Sequence, residues 1–567
     1  MNSSPVRFAP PRSEVEIHLP DGRTLCAPRG TRLMDFLRPV AEDFGAPIVA
    51  AIVNQELREL THPIEIESQV RPVTMADADG ARIYRRSLTF LLEMAFADLF
   101  PQACLTIDHS ITSGGYYCQV SGRAPLSAQE LATLEKHMRE LVAADLPFER
   151  LELPLAEAIA YFQAHRAQDK LRLLAHRAKD YLTLYRFGER MDYHHGYMVP
   201  SSGYLRWFDL QPMDAGFVLR YPRRHRPTEL LPLPESSRLL VAFRQYGDWL
   251  ARLGIESVGA LNETIAQGRI DEIILVSEAL HEQHIAEIAR QIAESGQRIV
   301  LIAGPSSSGK TTFSRRLAVQ LLALGLEPFP LELDNYFVDR EKTPLDENGQ
   351  PDFEKLEALE LELLADHLER LLRGEWVRLP RYNFKVGKRE DGEEVHISSR
   401  QILILEGIHG LNPQLLPGTL SQHAYRIYVS ALTQLNLDRH NRVSTTDTRL
   451  LRRIVRDAGE RGYTAAQTIA HWESVRRGEK RYIFPYQEHA DVMFNSALVY
   501  ELSALKPYAE PLLRQVPCGT PEYIEAKRLL TLLEWFLPIE ESHIPSNSIV
   551  REFLGGSILR RFTRWNF

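Results

Sequence analysis

Eight consecutive residues, Gly304-Pro305-Ser306-Ser307-Ser308-Gly309-Lys310-Thr311, carry the strongest chemical signal in the chain. The glycines let backbone N–H groups turn inward as a cradle for an anion. A helix starting just behind them adds partial positive charge at its N-terminus. A lysine at this spacing reaches the terminal phosphates of a nucleoside triphosphate, and the threonine hydroxyl after it ligates Mg2+. Thr312 is counted with the cradle. ATP and Mg2+ are therefore the expected cofactors.

Two carboxylates stand where such chemistry needs them. Asp334 follows the run Leu331-Glu332-Leu333, and Glu406 closes Ile402-Leu403-Ile404-Leu405. In open α/β sheets ligands sit beyond the carboxyl ends of the strands, so both should face the phosphate loop. Phosphoryl transfer needs an acceptor for the substrate's hydroxyl proton and oxygen ligands around Mg2+. Asp334 is assigned as the base, and Thr311, Asp334 and Glu406 as the metal side of the site. A third group is cationic. Thr446-Asp447 is expected to cap a helix bearing Arg449, Arg452, Arg453 and Arg456, with Arg461-Gly462 at its end. Arg449, Arg453 and Arg456 fall on one helix face. That face is either a solvated basic stripe or a lid whose arginines close on the transferring phosphoryl group.

The elements that must position these residues read as α/β from Arg298 onward. Ile299–Ala303 is an apolar strand of the parallel type, followed by a helix over Thr311–Leu324 with Gly325 beyond its end. Further strands are expected at 328–333, 401–405 and 425–429, and a helix at 356–373, giving a mostly parallel sheet. The N-terminal half reads differently. A hairpin over Val15–Leu19 and Thr24–Ala27, a short helix from Gly30-Thr31 and a strand at Ile48–Asn54 follow the order of a ubiquitin-like fold. Helices are expected over 84–100 and 127–144, the second opened by a capping box from Ser127 to Glu130. A strand is expected at 116–120, and mostly helical structure over 238–295. His281 and His284 share a helix and read as solvated surface histidines.

At 567 residues the chain exceeds one hydrophobic core, so several domains are expected. Its net charge of −8 argues against a protein that coats nucleic acid along its whole length. Four scattered cysteines with no CxxC pair fit a reducing cytoplasm. No signal peptide and no membrane-length apolar run are read, so the expected localisation is cytoplasmic, with no membrane partner.

The motifs together resemble the uridine kinase and phosphoribulokinase family of P-loop kinases. The phosphate loop, Leu333-Asp334-Asn335-Tyr336-Phe337, Leu379-Pro380-Arg381-Tyr382-Asn383-Phe384, Leu405-Glu406-Gly407-Ile408 and Thr448 to Asp457 occur in the family's order. The resemblance covers about 298–500. It implies that Asp334 is the base, that Glu406 supports Mg2+, and that Arg453, Arg456 and Arg461 belong to a phosphate-contacting lid. It also places Glu354 on ribose hydroxyls and Tyr382 beside the base. The chain departs from the family at the base itself. Gly387 replaces the pyrimidine-reading histidine, Tyr463 and His471 replace two further nucleoside contacts, and Lys388 and Arg389 bring two cations nearby.

Val15 to about Asp77 resembles a TGS domain, and about Gly80 to Pro222 is similar to the second additional domain of threonyl- and alanyl-tRNA synthetases. Editing domains of that kind carry four metal-site positions. Here they read Arg86, Phe90, His194 and Met198, so the region is taken as degenerate and non-editing. The expected division is a disordered tail 1–12, a TGS-like domain 13–79, a degenerate synthetase-like domain 80–225, a linker and helical connector 226–297, and a P-loop kinase domain 298–567. The expected activity is ATP-dependent phosphorylation of a small-molecule alcohol, foremost a nucleoside 5′-hydroxyl. Lys388 and Arg389 keep an anionic alcohol open as acceptor. A regulatory RNA-binding NTPase is the remaining alternative, with RNA at the TGS-like module and self-association as open partners.

Overall fold

The computed structural model describes residues 12–111, 114–233, 238–345, 349, 351–383 and 386–562. The expected tail, apart from Arg12, lies outside the described residues, as do Phe384 and Lys385. The chain forms two compact units. One comprises 1–234, 436–442 and 517–528, the other 235–435, 443–516 and 529–567. Among the described residues no helix is long and apolar enough to cross a membrane.

The first unit holds three sheets. Strands β1 (Glu14–His18), β2 (Thr24–Pro28), β3 (Ile48–Val53), β4 (Glu56–Glu59) and β5 (Ser68–Thr74) form a mixed sheet in the order β2-β1-β5-β3-β4. Ile17, Leu33, Phe36, Leu37 and Val70 pack inside it. Next come β6 (Cys104–Ile111), β7 (Gly115–Ser121), β8 (Glu149–Pro154), β9 (Tyr181–Phe187), β10 (Arg190–Asp192), β11 (Asp209–Met213) and β12 (Gly216–Arg220). They make two antiparallel sheets, β11-β12-β7-β6 and β10-β9-β8. The helix Ala78–Leu99 is the centre of that core, burying Leu88, Phe90, Leu91 and Leu92. The expected capping box is present: the Glu130 N–H donates to Ser127 Oγ at 3.3 Å, and the Ser127 N–H donates to the Glu130 carboxylate at 2.9 Å.

The second unit is built on β13 (Ile299–Ala303), β14 (Glu327–Glu332), β17 (Gln401–Glu406), β18 (Ala424–Ser430) and β19 (Val492–Asn495), with the hairpin β15 (Val377–Asn383) and β16 (Lys388–Val395) apart from it. The five-stranded sheet is parallel throughout, in the order β14-β17-β13-β18-β19. Its centre, β13, is buried along its whole length, which is why its sequence is continuously apolar rather than alternating.

Three expectations need correction here. The helix expected over 356–373 is broken. A 3-10 turn, Leu356–Ala358, precedes a helix at Leu361–Leu372, because Leu359 bridges to Phe337 and the Glu360 N–H is drawn to the Tyr336 carbonyl at 2.9 Å. His281 is not solvated and His284 is half-buried. His281 is buried and both rings lie against Phe494, at 5.1 and 5.4 Å. Of the segment 226–297, read as linker and helical connector, the described residues from 238 onward are packed within this unit. Their long helix, Ile270–Ser295, supplies Glu278 and Glu282 to the buried Arg316 at 3.1 and 2.7 Å.

The core of this unit also contains charge. Arg452 has no exposed surface. Its Nε donates to Glu501 at 3.0 Å and its Nη2 to the Ser496 carbonyl at 2.9 Å, beneath the Phe553 ring. Burial pushes the Glu501 carboxyl up, and Arg452 draws it back down. Removing one partner of such a pair strands the other charge, at a cost of about 3–5 kcal/mol. Arg452→Met is therefore expected to lower the urea midpoint of this unit by an amount equivalent to that loss. Adding Glu501→Gln in the same chain should recover part of it; a double variant no more stable than the single would contradict the pairing.

Candidate active site

The chain leaves β13 at Gly304, where a Cβ would fall on the Val429 carbonyl oxygen of the neighbouring strand, so only glycine passes. The loop then turns through left-handed backbone at Ser307 (φ 56°) and Gly309 (φ 86°) into the helix Lys310–Ala323. Turning the N–H groups toward a phosphate directs carbonyls the other way, and buried donors meet them. Arg449 Nε donates to the Ser306 carbonyl at 2.9 Å, Arg452 Nη1 to the Ser307 carbonyl at 3.3 Å, and the Ser496 hydroxyl to the Ser308 carbonyl. Glu479, ion-paired to Arg449, accepts from the Ser306 N–H at 3.0 Å.

The arginine helix, Thr445–Arg461, thus divides in two. Arg449 and Arg452 face inward and fix the loop from behind. Arg453, Arg456 and Arg461 gather on the buried carboxylate of Asp457, at 3.1, 3.0 and 3.6 Å. Arg453 also donates to Ser306 Oγ at 2.9 Å. Burial draws its guanidinium below the usual range, against the pull of Asp457. The periodicity that grouped Arg449 with Arg453 and Arg456 does not separate the buried member from the other two; the structure does.

Lys310 Nζ donates to the Gly304 and Pro305 carbonyls at 3.0 and 3.2 Å. Burial lowers its ammonium, while Glu406 and Glu552 raise it. Thr311 Oγ1 donates to Glu406 Oε1 at 2.9 Å. Glu406 ends β17 and pairs in register with Glu332 at the end of β14; Asp334 sits in the turn just after. Burial lifts the Glu406 carboxyl to about 7, helped by Glu552 and Glu332 and opposed by Lys310 and Thr311. Asp334 is exposed; partial desolvation by the surrounding protein, with Glu332, raises its carboxyl, and Lys310 lowers it. A hydroxyl beside a carboxylate that lacks a full positive partner is an all-oxygen set that fits Mg2+. Glu552, which the sequence reading missed, accepts from the Thr312 N–H at 3.0 Å.

The expected acceptor residues are distributed unevenly. Glu354 lies against Gly478, its carboxyl lifted to about 7 by burial, Glu479 and Asp352 and lowered by Arg453 and Arg477. Tyr382 is in the core, edge-on to Phe337 and Phe353. Arg389 pairs with Glu360 at 3.2 Å, and Lys388 is exposed at the start of β16. Gly387, where the family places a base-reading histidine, adopts φ 70°. A Cβ there would meet Arg340 Nε at 2.7 Å.

In the first unit the four synthetase-like metal positions are filled differently. Arg86 is half-buried and donates to the Tyr197 carbonyl, Phe90 lies 4.9 Å from the His194 ring, and Met198 is in the core. His194 meets residues that sequence reasoning did not connect. Its Nε2 is 3.1 Å from Glu93, and His440 Nδ1 is 3.0 Å from Asp192. The cation inside this cluster is Lys170, at 2.8 Å from Asp192 and 3.1 Å from Asp438.

A phosphate loop after the central strand of a parallel sheet, with acidic side chains at the ends of the two strands on one side of it, defines a nucleotide-binding P-loop domain. Residues 299–503 match the model of the Phosphoribulokinase / Uridine kinase family, and the fold of this part of the chain is that of a P-loop kinase. The N-terminal half is similar to threonine–tRNA ligases. That of Geobacter sp. (strain M21) is 31% identical over 205 residues, 36% of this chain and 32% of the relative. That of Laribacter hongkongensis (strain HLHK9) is 34% identical over 202 residues, 35% and 32% of the two chains. The chain thus spans about a third of the length of these relatives. A solved structure described as a possible uridine kinase from Bacillus stearothermophilus is 18% identical, covering 38% of this chain and 98% of that one at a TM-score of 0.25.

The raised carboxyls have a signed consequence. Folded Glu406 keeps a proton that the unfolded chain releases, so stability is lost as pH rises from about 4.5 to about 7 and the loss is level above that. Glu406→Gln, a permanently neutral replacement, should match the wild type in Tm below about pH 4.5, exceed it progressively up to about pH 7, and hold a constant margin at higher pH. A Tm difference independent of pH would contradict this burial effect.

Proposed function

We propose that the chain is an ATP-dependent small-molecule kinase that transfers a γ-phosphoryl group to a hydroxyl, with a nucleoside 5′-hydroxyl as the acceptor class that fits best. The observation that carries this reading is the set Lys310, Thr311, Glu406 and Asp334, gathered at the carboxyl ends of three neighbouring parallel strands. In this reading the cradle from Gly304 to Thr312 holds the phosphates, and Thr311, Glu406 and Asp334 form the oxygen side of the Mg2+ site. Asp334 takes the acceptor's proton as its oxygen attacks the γ-phosphorus. The bond to the β–γ bridging oxygen then breaks and ADP departs. A base whose pKa is raised toward the working pH suits that step. Lys310, Arg453, Arg456 and Arg461 steady the charge on the moving group.

Glu354 reads hydroxyls of the acceptor, and Tyr382 contributes through the aromatic wall it forms with Phe337 and Phe353. The base-reading set is altered, so selectivity among bases should be weak. An anionic alcohol is the second reading. It is favoured by Arg340 lying against Gly387, with Lys388 and Arg389 on the same hairpin. The likeness of the N-terminal half to threonine–tRNA ligases supports RNA as a partner of the first unit.

Asp334→Asn should leave ADP binding within a fewfold of wild type while phosphoryl transfer falls by about 10²-fold or more, the usual loss for a general base. Lys310→Ala should weaken both. Isothermal titration with ADP and a coupled transfer assay measure the two effects, and near wild-type turnover in Asp334→Asn would remove it from the base role.

A further inference from the structure

Gly478 lies inside the helix Ala465–Tyr482, four residues before its end, where glycine is less favourable than alanine. Its backbone is not left-handed, so conformation does not explain it. Space does. A Cβ built on Gly478 would fall inside the Glu354 carboxylate, with Oε1 still only 3.1 Å away. The Glu354 backbone is held separately: its N–H donates to Asp352 Oδ1 at 3.1 Å, and the Phe353 ring before it packs on Phe337 at 5.4 Å. The carboxyl therefore has little room to retreat. The next helical residue, Glu479, holds the Ser306 N–H, and Arg453, which bears on the Glu354 charge, donates to Ser306 Oγ. Gly478 thus stands between the Glu354 carboxyl and a helical neighbour, Glu479, that holds the phosphate loop.

We propose that Gly478 is a positioning residue for the acceptor. Its missing side chain is what admits the Glu354 carboxyl to the flank of the phosphate loop, where it can bind a pair of neighbouring hydroxyls on the acceptor. This rests on the kinase reading above and on Glu354 as an acceptor ligand. The fit selects a polyol such as a ribose ring over an alcohol with a single hydroxyl. A larger residue at 478 displaces the carboxyl without touching the nucleotide.

The test compares Gly478→Ala, Glu354→Ala and the double variant in the full chain, with ADP titration and transfer kinetics to the best wild-type acceptor. Gly478→Ala should raise the acceptor KM at least tenfold, with kcat within about threefold and the ADP Kd within about twofold of wild type. Glu354→Ala should do the same, and the double variant should be no worse than either single, since both changes remove one interaction. If Gly478→Ala does not fold but the double variant folds and binds ADP, the steric relation is upheld. Unchanged acceptor KM in Gly478→Ala, additive losses in the double variant, or failure of both Gly478 variants to bind ADP would overturn it. A wild type that transfers to no alcohol at all overturns the kinase reading, and this inference with it.

Discussion

A loop that offers its N–H groups to phosphate must point its carbonyls elsewhere, and a buried carbonyl without a donor is costly. Five consecutive carbonyls, Gly304 to Ser308, have their donors: Lys310 for the first two, Arg449, Arg452 and the Ser496 hydroxyl for the rest. The two arginines are themselves buried, which forces Glu479 and Glu501 inside to match them. Those carboxylates lie on other helices, so the phosphate loop, the arginine helix and the helices after it are fixed by one accounting of charge and hydrogen bonds. Such a network stabilises little beyond what an apolar core would, and what it secures here is a single loop geometry.

The front of the loop has the opposite character. Glu406, Asp334 and Glu354 are carboxyls raised by desolvation and by other carboxylates nearby, Glu552 and Glu332 for the first, Glu332 for the second, Glu479 and Asp352 for the third, with Lys310 and Arg453 as partial counterweights. Raised pKa values in a group around an anion cradle mark a place built for bound charge rather than for stability. A Mg2+ ion beside Thr311 and Glu406, and a hydroxyl-bearing acceptor beside Glu354, are the partners we propose for that charge. Glu552 on the Thr312 N–H shows how strongly the helix N-terminus draws a carboxylate.

Much of this was legible in the sequence because it is local. The apolar strand at Ile299–Ala303, the glycine spacing after it, the carboxylates at strand ends and the Ser127 capping box are each decided by near neighbours. What escaped is decided at a distance. Helical periodicity put Arg449, Arg453 and Arg456 on one face, but burial depends on Glu479 and the Ser306 carbonyl, which periodicity does not reach. Tyr382 matched a substrate position by motif, yet its ring is claimed by Phe337 and Phe353. His281 and His284 looked soluble by composition and lie against Phe494, a residue of an edge strand too short for its pattern to reveal. Segment 436–442 reads as part of the kinase half, and its His440 joins Glu93 and Asp192 in the first unit. Gly478 carries no signal by itself, because its meaning is the carboxylate of a residue more than a hundred positions earlier.

The measurement that bears most directly on this account is product identification. The full chain would be incubated with ATP, Mg2+ and a panel of uridine, cytidine, adenosine, guanosine, inosine and anionic alcohols, followed by mass spectrometry. The account predicts that an alcohol gains one phosphoryl group in step with ADP release, that Asp334→Asn abolishes the gain, and that purine and pyrimidine nucleosides differ by less than about 10²-fold. ATP consumed only to ADP and free phosphate whichever alcohol is present, or turnover that appears only with RNA, would contradict it.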